Sequence, residues 1–173
     1  WEFIKGLKLH SQVDYRYKTT IEDIYRASTT SQDAHDNGGI AQINNTTFQS
    51  VLSETYLTFS RTFKDIHSLS VMAGHSYNYE NQRGLYTTAR GFVNDVLENE
   101  NMNASDPALR QIYNDGYYVS KLLSFYGRAN YTLMDRYLFT LTMRADGSTK
   151  FGANNKWGYF PSGAMSWKMH NEP

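Results

Sequence analysis

The sequence predicts an all-β fold: an antiparallel meander of about six strands, part of a transmembrane β-barrel. Three observations carry this. Apolar and polar residues alternate at period two through most of the chain. The connections between these runs alternate strictly between short and long. Aromatics make up 15% of the residues, and 14 of them are tyrosines, whose apolar ring and polar tip suit strands and wet interfaces.

The first strand is expected over 7–17, where Leu7, Leu9, Val13, Tyr15 and Tyr17 alternate with Lys8, His10, Gln12, Asp14 and Arg16. The second covers 50–59, with Val51, Thr55, Leu57 and Phe59 on one face and Leu52 and Tyr56 breaking the pattern on the other. A third starts at Leu69 and sets Val71, Ala73, Tyr77 and Tyr79 against Ser70, Met72, Gly74, Ser76 and Asn78. The fourth opposes Leu123, Phe125, Gly127, Ala129, Tyr131 and Leu133 to Ser124, Tyr126, Arg128, Asn130 and Thr132. The fifth opposes Tyr137, Phe139, Leu141, Met143 and Ala145 to Thr140, Thr142, Arg144 and Asp146. The sixth opposes Gly163, Met165, Trp167 and Met169 to Ser162, Ala164, Ser166 and Lys168.

Two connections are short: Lys64-Asp65-Ile66 and Met134-Asp135-Arg136. Three are long, over 18–47, 80–118 and 147–160, and any helix is expected at Ala108–Tyr113 in the second of them. A soluble sandwich has no reason to gather every long loop at one end. An outer-membrane barrel does, with tight periplasmic turns, long extracellular loops and strands of ~9–11 residues. Parity fixes the hairpin register. In strands two to five the apolar positions are odd-numbered, so opposed residues must both be odd or both even, and the turn must hold an odd number of residues. A turn at Met134-Asp135-Arg136 then pairs Leu133 with Tyr137, Tyr131 with Phe139, Ala129 with Leu141, Gly127 with Met143, Tyr126 with Arg144 and Ser124 with Asp146.

The two faces differ in chemistry. The odd face is apolar with small residues such as Ala73 and Ala129, while the even face carries Asp14, Glu54, Arg128, Asn130 and Arg144 well inside strands. Charges so placed need a wet space behind them, which a barrel lumen provides. Tyr15, Tyr17, Phe59, Phe63, Tyr77, Tyr79, Tyr131, Tyr137 and Trp167 gather near strand ends, where membrane barrels carry aromatic girdles.

Several functions are disfavoured. The charge balances at 17 basic and 17 acidic residues, with a pI near 7.1, so nothing favours nucleic acid. Cysteine is absent, and the five histidines have no ligand spacing, so no metal site and no cofactor are expected. No apolar run is long enough for a transmembrane helix. The sequence opens on a tryptophan with no signal-peptide pattern, and the chain is expected to be a piece of something longer. No paired carboxylates select a hydrolytic site, so neither catalytic residues nor an enzyme is expected.

The stretch Arg144-Ala145-Asp146-Gly147-Ser148-Thr149-Lys150-Phe151-Gly152 invites a phosphate-cradle or calcium-loop reading. No helical period follows it, and Asp146 is its only carboxylate, so both readings fail. A hairpin rim accounts for it: Arg144 and Asp146 are the last lumen-facing positions, Gly147 and Gly152 allow a turn, and Pro161 restarts a strand. Arg144 is placed to stack on Tyr126 across the ladder.

Residues 122–169 also carry a family pattern. Gly127-Arg128-Ala129-Asn130-Tyr131, Asp135-Arg136-Tyr137-Leu138, the Arg144–Gly152 stretch and Lys156-Trp157-Gly158-Tyr159-Phe160-Pro161-Ser162 follow in order, and together they resemble the SusC/RagA-like TonB-linked outer-membrane transporters. Residues 51–80 and 1–18 match more loosely. The resemblance implies that 1–173 is part of a barrel of about 22 strands, with the plug domain and remaining strands absent. It implies a bacterial outer-membrane location in contact with the lipid bilayer, a SusD-like lipoprotein partner, TonB coupling through the N-terminal region, and an oligosaccharide or peptide substrate. Candidate lumen or rim contacts are then Tyr126, Arg128, Asn130, Arg144 and Asp146, and candidate extracellular contacts are Tyr86, Phe92, Tyr113, Tyr117, Tyr118 and Trp157. The competing reading is a soluble carbohydrate-binding β-sandwich or small barrel, which shares the strands and aromatics.

Overall fold

The computed structural model describes residues 2–152 and 154–171. Its strands are β1 (Glu2–Ile4), β2 (Leu7–Arg26), β3 (Ile40–Phe63), β4 (His67–Arg90), β5 (Gln111–Leu133), β6 (Tyr137–Ser148) and β7 (Trp157–Trp167). They form one sheet in chain order, a meander of six long strands preceded by the three-residue β1. Among the described residues no helix is long and apolar enough to cross a membrane.

The strands are much longer than the period suggests. β3 and β4 each have 24 residues, β5 has 23 and β2 has 20. Most of the expected loop 18–47 is ladder, and so is about half of 80–118; the true connections are 27–39, 91–110 and 149–156. Period two is imposed where one face meets an apolar medium and the other does not. In runs such as Thr19-Thr20-Ile21-Glu22-Asp23-Ile24 that contrast is gone, and backbone hydrogen bonds hold the strand without marking the sequence.

The expected helix at 108–113 is also corrected. Pro107–Leu109 is a single 3-10 turn capped by Asp106, whose side chain accepts from the Ala108 amide, and β5 has begun by Gln111. The β-forming Ile112 and Tyr113 favour the ladder. The α-helix among the described residues is instead α1 (Gln32–Asp36), capped by Ser31, which accepts from the Ala34 amide. A further 3-10 segment spans Glu98–Ala104.

Contacts divide the chain into two compact units. The first comprises 1–15, 50–79 and 120–173. Its β5–β6 ladder has the expected register throughout, from Leu133↔Tyr137 through Tyr126↔Arg144 to Ser124↔Asp146. β6–β7 continues it, from Tyr137↔Trp167 to Gly147↔Trp157. The two short turns share one geometry. Lys64 and Asp65 have φ of 51° and 56°, Met134 and Asp135 have 53° and 52°, and the next amide closes each turn, Ile66 to the Phe63 carbonyl and Arg136 to that of Leu133. These are type I′ turns, whose twist matches that of the strands.

The second unit comprises 16–49 and 80–119. Its core is small: Ala41, Ala89 and Phe92, with Tyr25, Met102 and Ala104 packed against them. Asp95 ties it together, accepting from the Tyr25 hydroxyl at 2.5 Å, the Ser28 hydroxyl at 2.8 Å and the Ser28 amide at 3.2 Å.

Candidate functional site

In the first unit the odd positions form an apolar face that the chain leaves uncovered. Leu141 is 64% exposed, Met165 77% and Val13 69%. Stacked rings lie at both ends of this face. At one end, beside the short turns, Tyr131 stacks on Phe139, Tyr137 on Trp167 and His67 on Tyr131, and Arg61 lies over Phe63. At the other, Phe125 lies between His75 and Trp157, and Lys121 lies over Tyr79. β7 is 11 residues long and carries a tryptophan at each end. At about 3.4 Å per residue and a strand tilt of about 40°, its ends stand roughly 26 Å apart along a barrel axis, close to the ~25 Å of an outer-membrane apolar band.

The even face is a polar network. The Tyr126 hydroxyl donates to Glu54 at 2.7 Å. Arg144 pairs with Asp146 at 2.8 Å and donates to Ser124 at 3.1 Å, so its guanidinium is engaged along the ladder in place of the expected stack on Tyr126. Arg128 donates to Thr142 at 3.3 Å, and Thr140 to Asn130 at 2.9 Å. Glu54, Tyr126, Arg128 and Arg144 line a cavity of about 280 Å³. Three of these four are among the sequence candidates. Glu54 is not, although a carboxylate in mid-strand was the signal that pointed to it. Asn130 and Asp146 lie on the same face and hold Thr140 and Arg144.

The extracellular candidates scatter. Phe92 is only 9% exposed and belongs to the core of the second unit. Trp157 lies on β7 in the first unit, not in a loop, with its indole over Gly147, where a Cβ would meet three ring atoms at 3.0 Å. Gly147 is therefore a ladder position with room for an overlying ring. The turn follows Ser148, and Pro161 lies inside β7, which starts four residues earlier.

Tyr86, Tyr113, Tyr117 and Tyr118 stand on strands β4 and β5. Arg83 lies over Tyr117, odd against odd, but Tyr86 stacks on Tyr113 at 5.4 Å and 15°, even against odd. One extra residue has entered β5 between these pairs. Gly116 has a φ of 69° there, a β-bulge that moves Tyr113 onto the face of Tyr86. Tyr86 also covers Gly84. The result is a two-ring platform on one face, with Arg83 and Tyr117 on the other. No sequence period marks this platform, because the bulge that builds it also breaks the period.

Electrostatics in the second unit centre on Asp95. The hydrogen bonds from Tyr25 and Ser28 hold its carboxyl below the usual range. Burial, reinforced by the bond to Asp95, pushes the Tyr25 phenol up to about 12.

An antiparallel meander with one uncovered apolar face, aromatic rings at both ends and charges on the opposite face defines a stretch of transmembrane β-barrel wall. No family model matches the chain. TonB-dependent receptor P3 of Formosa agariphila is 33% identical over 175 residues, covering 99% of this chain and 17% of that receptor. TonB-dependent receptor SusC of Bacteroides thetaiotaomicron is 57% identical over 51 residues, 30% of this chain and 5% of SusC. The structure of the RagAB peptide transporter superposes with a TM-score of 0.86 at 21% identity, over 98% of this chain and 19% of that one, which shows a shared fold. The chain belongs to the TonB-dependent receptors. It spans about a sixth of the length of the curated relative it matches from end to end.

Proposed function

We propose that this chain is a wall segment of a TonB-dependent importer in a bacterial outer membrane, with further strands and a plug domain completing the barrel. Its cargo is an oligosaccharide or peptide, its surface partner is a SusD-like lipoprotein, and TonB supplies the energy through the plug side of the protein. The observation that carries this reading is the contrast between faces: an uncovered apolar odd face bounded by rings, against an even face of Glu54, Arg128, Arg144 and Asp146. The protein has no enzymatic role in this reading; it moves cargo without changing it. Tyr126, Arg128, Asn130, Arg144 and Asp146 then face the lumen, where plug or cargo passes. Tyr86, Tyr113 and Tyr118 are the extracellular contacts, and Tyr117 lies on the opposite face from the Tyr86 platform.

Uptake by cells expressing the parent transporter, at matched surface levels, tests this. Replacing Tyr86 and Tyr113 with alanine should lower uptake, since it removes both rings of the platform. Replacing Lys64 and Asp65, in a short turn on the periplasmic side, should leave uptake near normal. A strong defect from the turn pair alone would invert the assigned orientation.

A further inference from the structure

The first unit has a cleft whose lining combines membrane-facing rings with cations. It holds about 190 Å³ and is formed by the odd-face residues Tyr77, Lys121, Leu123 and Trp157, closed at the rim by Thr149 and Lys156. Its floor is apolar and continuous with the lipid-facing surface. Its rim carries two lysines, and among the described residues no carboxylate lines it. In a chain with equal numbers of basic and acidic residues, that is a local surplus of positive charge. Asp146, the carboxylate of the adjoining strand β6, lies on the even face and is bound to Arg144.

The rim is built rather than loose. The Thr149 amide donates to the Lys121 carbonyl at 3.0 Å, and the Thr149 hydroxyl accepts from the Lys121 amide at 2.9 Å. The Ser148 amide donates to the Lys156 carbonyl at 3.0 Å. These bonds fix the backbone of both lysines against the β6–β7 connection. The Lys121 ammonium lies 6.0 Å from the centre of the Tyr79 ring, at the end of the odd face away from the short turns. An ammonium above an aromatic girdle sits where lipid headgroups begin.

We infer that this cleft is a binding site for a phosphate-bearing lipid of the extracellular leaflet, with the phosphate between Lys121 and Lys156 and an acyl chain lying along Tyr77, Leu123 and Trp157. The inference rests on the lipid-facing assignment of the odd face under the proposed function. Continuity with the bilayer surface and charge complementarity select a lipid over a soluble anion: a free phosphate would use the lysines but leave the apolar floor without an occupant.

The test uses the full-length transporter in nanodiscs of equal parts phosphatidylglycerol and phosphatidylcholine, then gentle detergent extraction and native mass spectrometry of the retained lipid. The wild-type protein should retain phosphatidylglycerol preferentially. A lysine near an anionic lipid surface contributes about fivefold, so Lys121→Gln with Lys156→Gln should reduce the preference by about 30-fold. Lys64→Gln, in a periplasmic turn, should leave it unchanged. Inorganic phosphate at millimolar concentration should not displace the lipid. Equal retention of both lipids by the wild type, an undiminished preference in the double variant, or displacement by inorganic phosphate would each overturn the inference. Failure of the wild type to insert into bilayers at all would overturn the importer reading instead, so the two failures are distinguishable.

Discussion

Met134 and Asp135 occupy left-handed backbone, a region that costs a non-glycine residue about 1–2 kcal/mol. The two residues offset this cost differently. Asp135 accepts from Lys168 at 2.7 Å and from Asn171 at 3.2 Å, and the Lys168 ammonium holds its carboxyl below the usual range. The Met134 side chain is about half exposed, and its cross-turn bond to Ile66 uses only its amide. Met134→Gly should therefore stabilise the parent barrel by about 0.5–1 kcal/mol, the relieved strain less the added chain entropy of glycine. Asp135→Ala should destabilise it. Urea unfolding in lipid vesicles reads both, and a less stable Met134→Gly protein would show that the methionine packs against something the turn geometry does not reveal.

Asp95 gives a second residue-scale prediction, with two signs. Its carboxyl pKa is lowered on folding, so its contribution is complete above the ordinary carboxylate range and is lost as pH falls through the folded value. The Tyr25 phenol is raised, so its contribution is complete below its ordinary value of 10.0 and is lost as pH climbs towards about 12. The segment that Asp95 anchors should therefore show hydrogen-exchange protection on a plateau between these limits, loosening in acid and again in strong alkali. Asp95→Ala should remove the plateau. Protection that persists unchanged in that variant would assign the anchoring to the packing of Phe92 instead.

At the scale of the elements, what the sequence reveals depends on what each strand touches. Leu123 to Asp146 alternates cleanly because one face is apolar and the other polar, and parity alone then fixes the β5–β6 register residue by residue. Strand β5 continues past Ser120 towards Gln111 with no such contrast, and the pattern disappears although the strand does not. Gly116 is legible as a glycine but not as a bulge, because a bulge depends on the count of residues in the opposing strand. The lumen candidates Tyr126, Arg128 and Arg144 were legible for the same reason as the register: a charge or hydroxyl in mid-strand stands out against alternation. Trp157 was assigned to a loop because nothing local separates a loop aromatic from one that begins a strand, and Phe92, although it does lie in the 91–110 connection, fills a small core.

The facing of β4 can be tested directly. Val71 and Ser70 are adjacent, one on each face, and the Ser70 hydroxyl shares a hydrogen bond of 3.0 Å with that of Ser60 on the even side. Val71→Arg should cost the parent barrel about 2–4 kcal/mol, the range for a cation facing the bilayer midplane, while Ser70→Arg, facing a wet lumen, should cost much less. Equal costs in folding into bilayers of defined thickness would mean that the faces are assigned the wrong way round.

For the molecule as a whole, the decisive quantity is how much apolar surface the chain leaves to its surroundings. Its largest fully buried side chains are only Ile40 and Ser124, while Val13, Leu141, Met165 and Trp167 are all more than half exposed. A soluble sandwich of this length would bury such residues between two layers, but the described residues form one sheet whose order follows the chain. As an isolated polypeptide the sheet also presents β1 and β7 as edges, with free backbone donors and acceptors beside an apolar face. Both features favour self-association over a dispersed monomer. These 173 residues, refolded by dilution without detergent, should therefore form large oligomers in analytical ultracentrifugation. They should become dispersed when a detergent micelle covers the odd face. The polar substitutions Leu141→Ser, Met143→Ser and Met165→Ser should shift the detergent-free sample towards smaller species, because they remove the surface that drives association. A monodisperse detergent-free monomer of the unmodified chain would return the fold to a soluble carbohydrate-binding module, since a sheet with this face exposed cannot remain single in water.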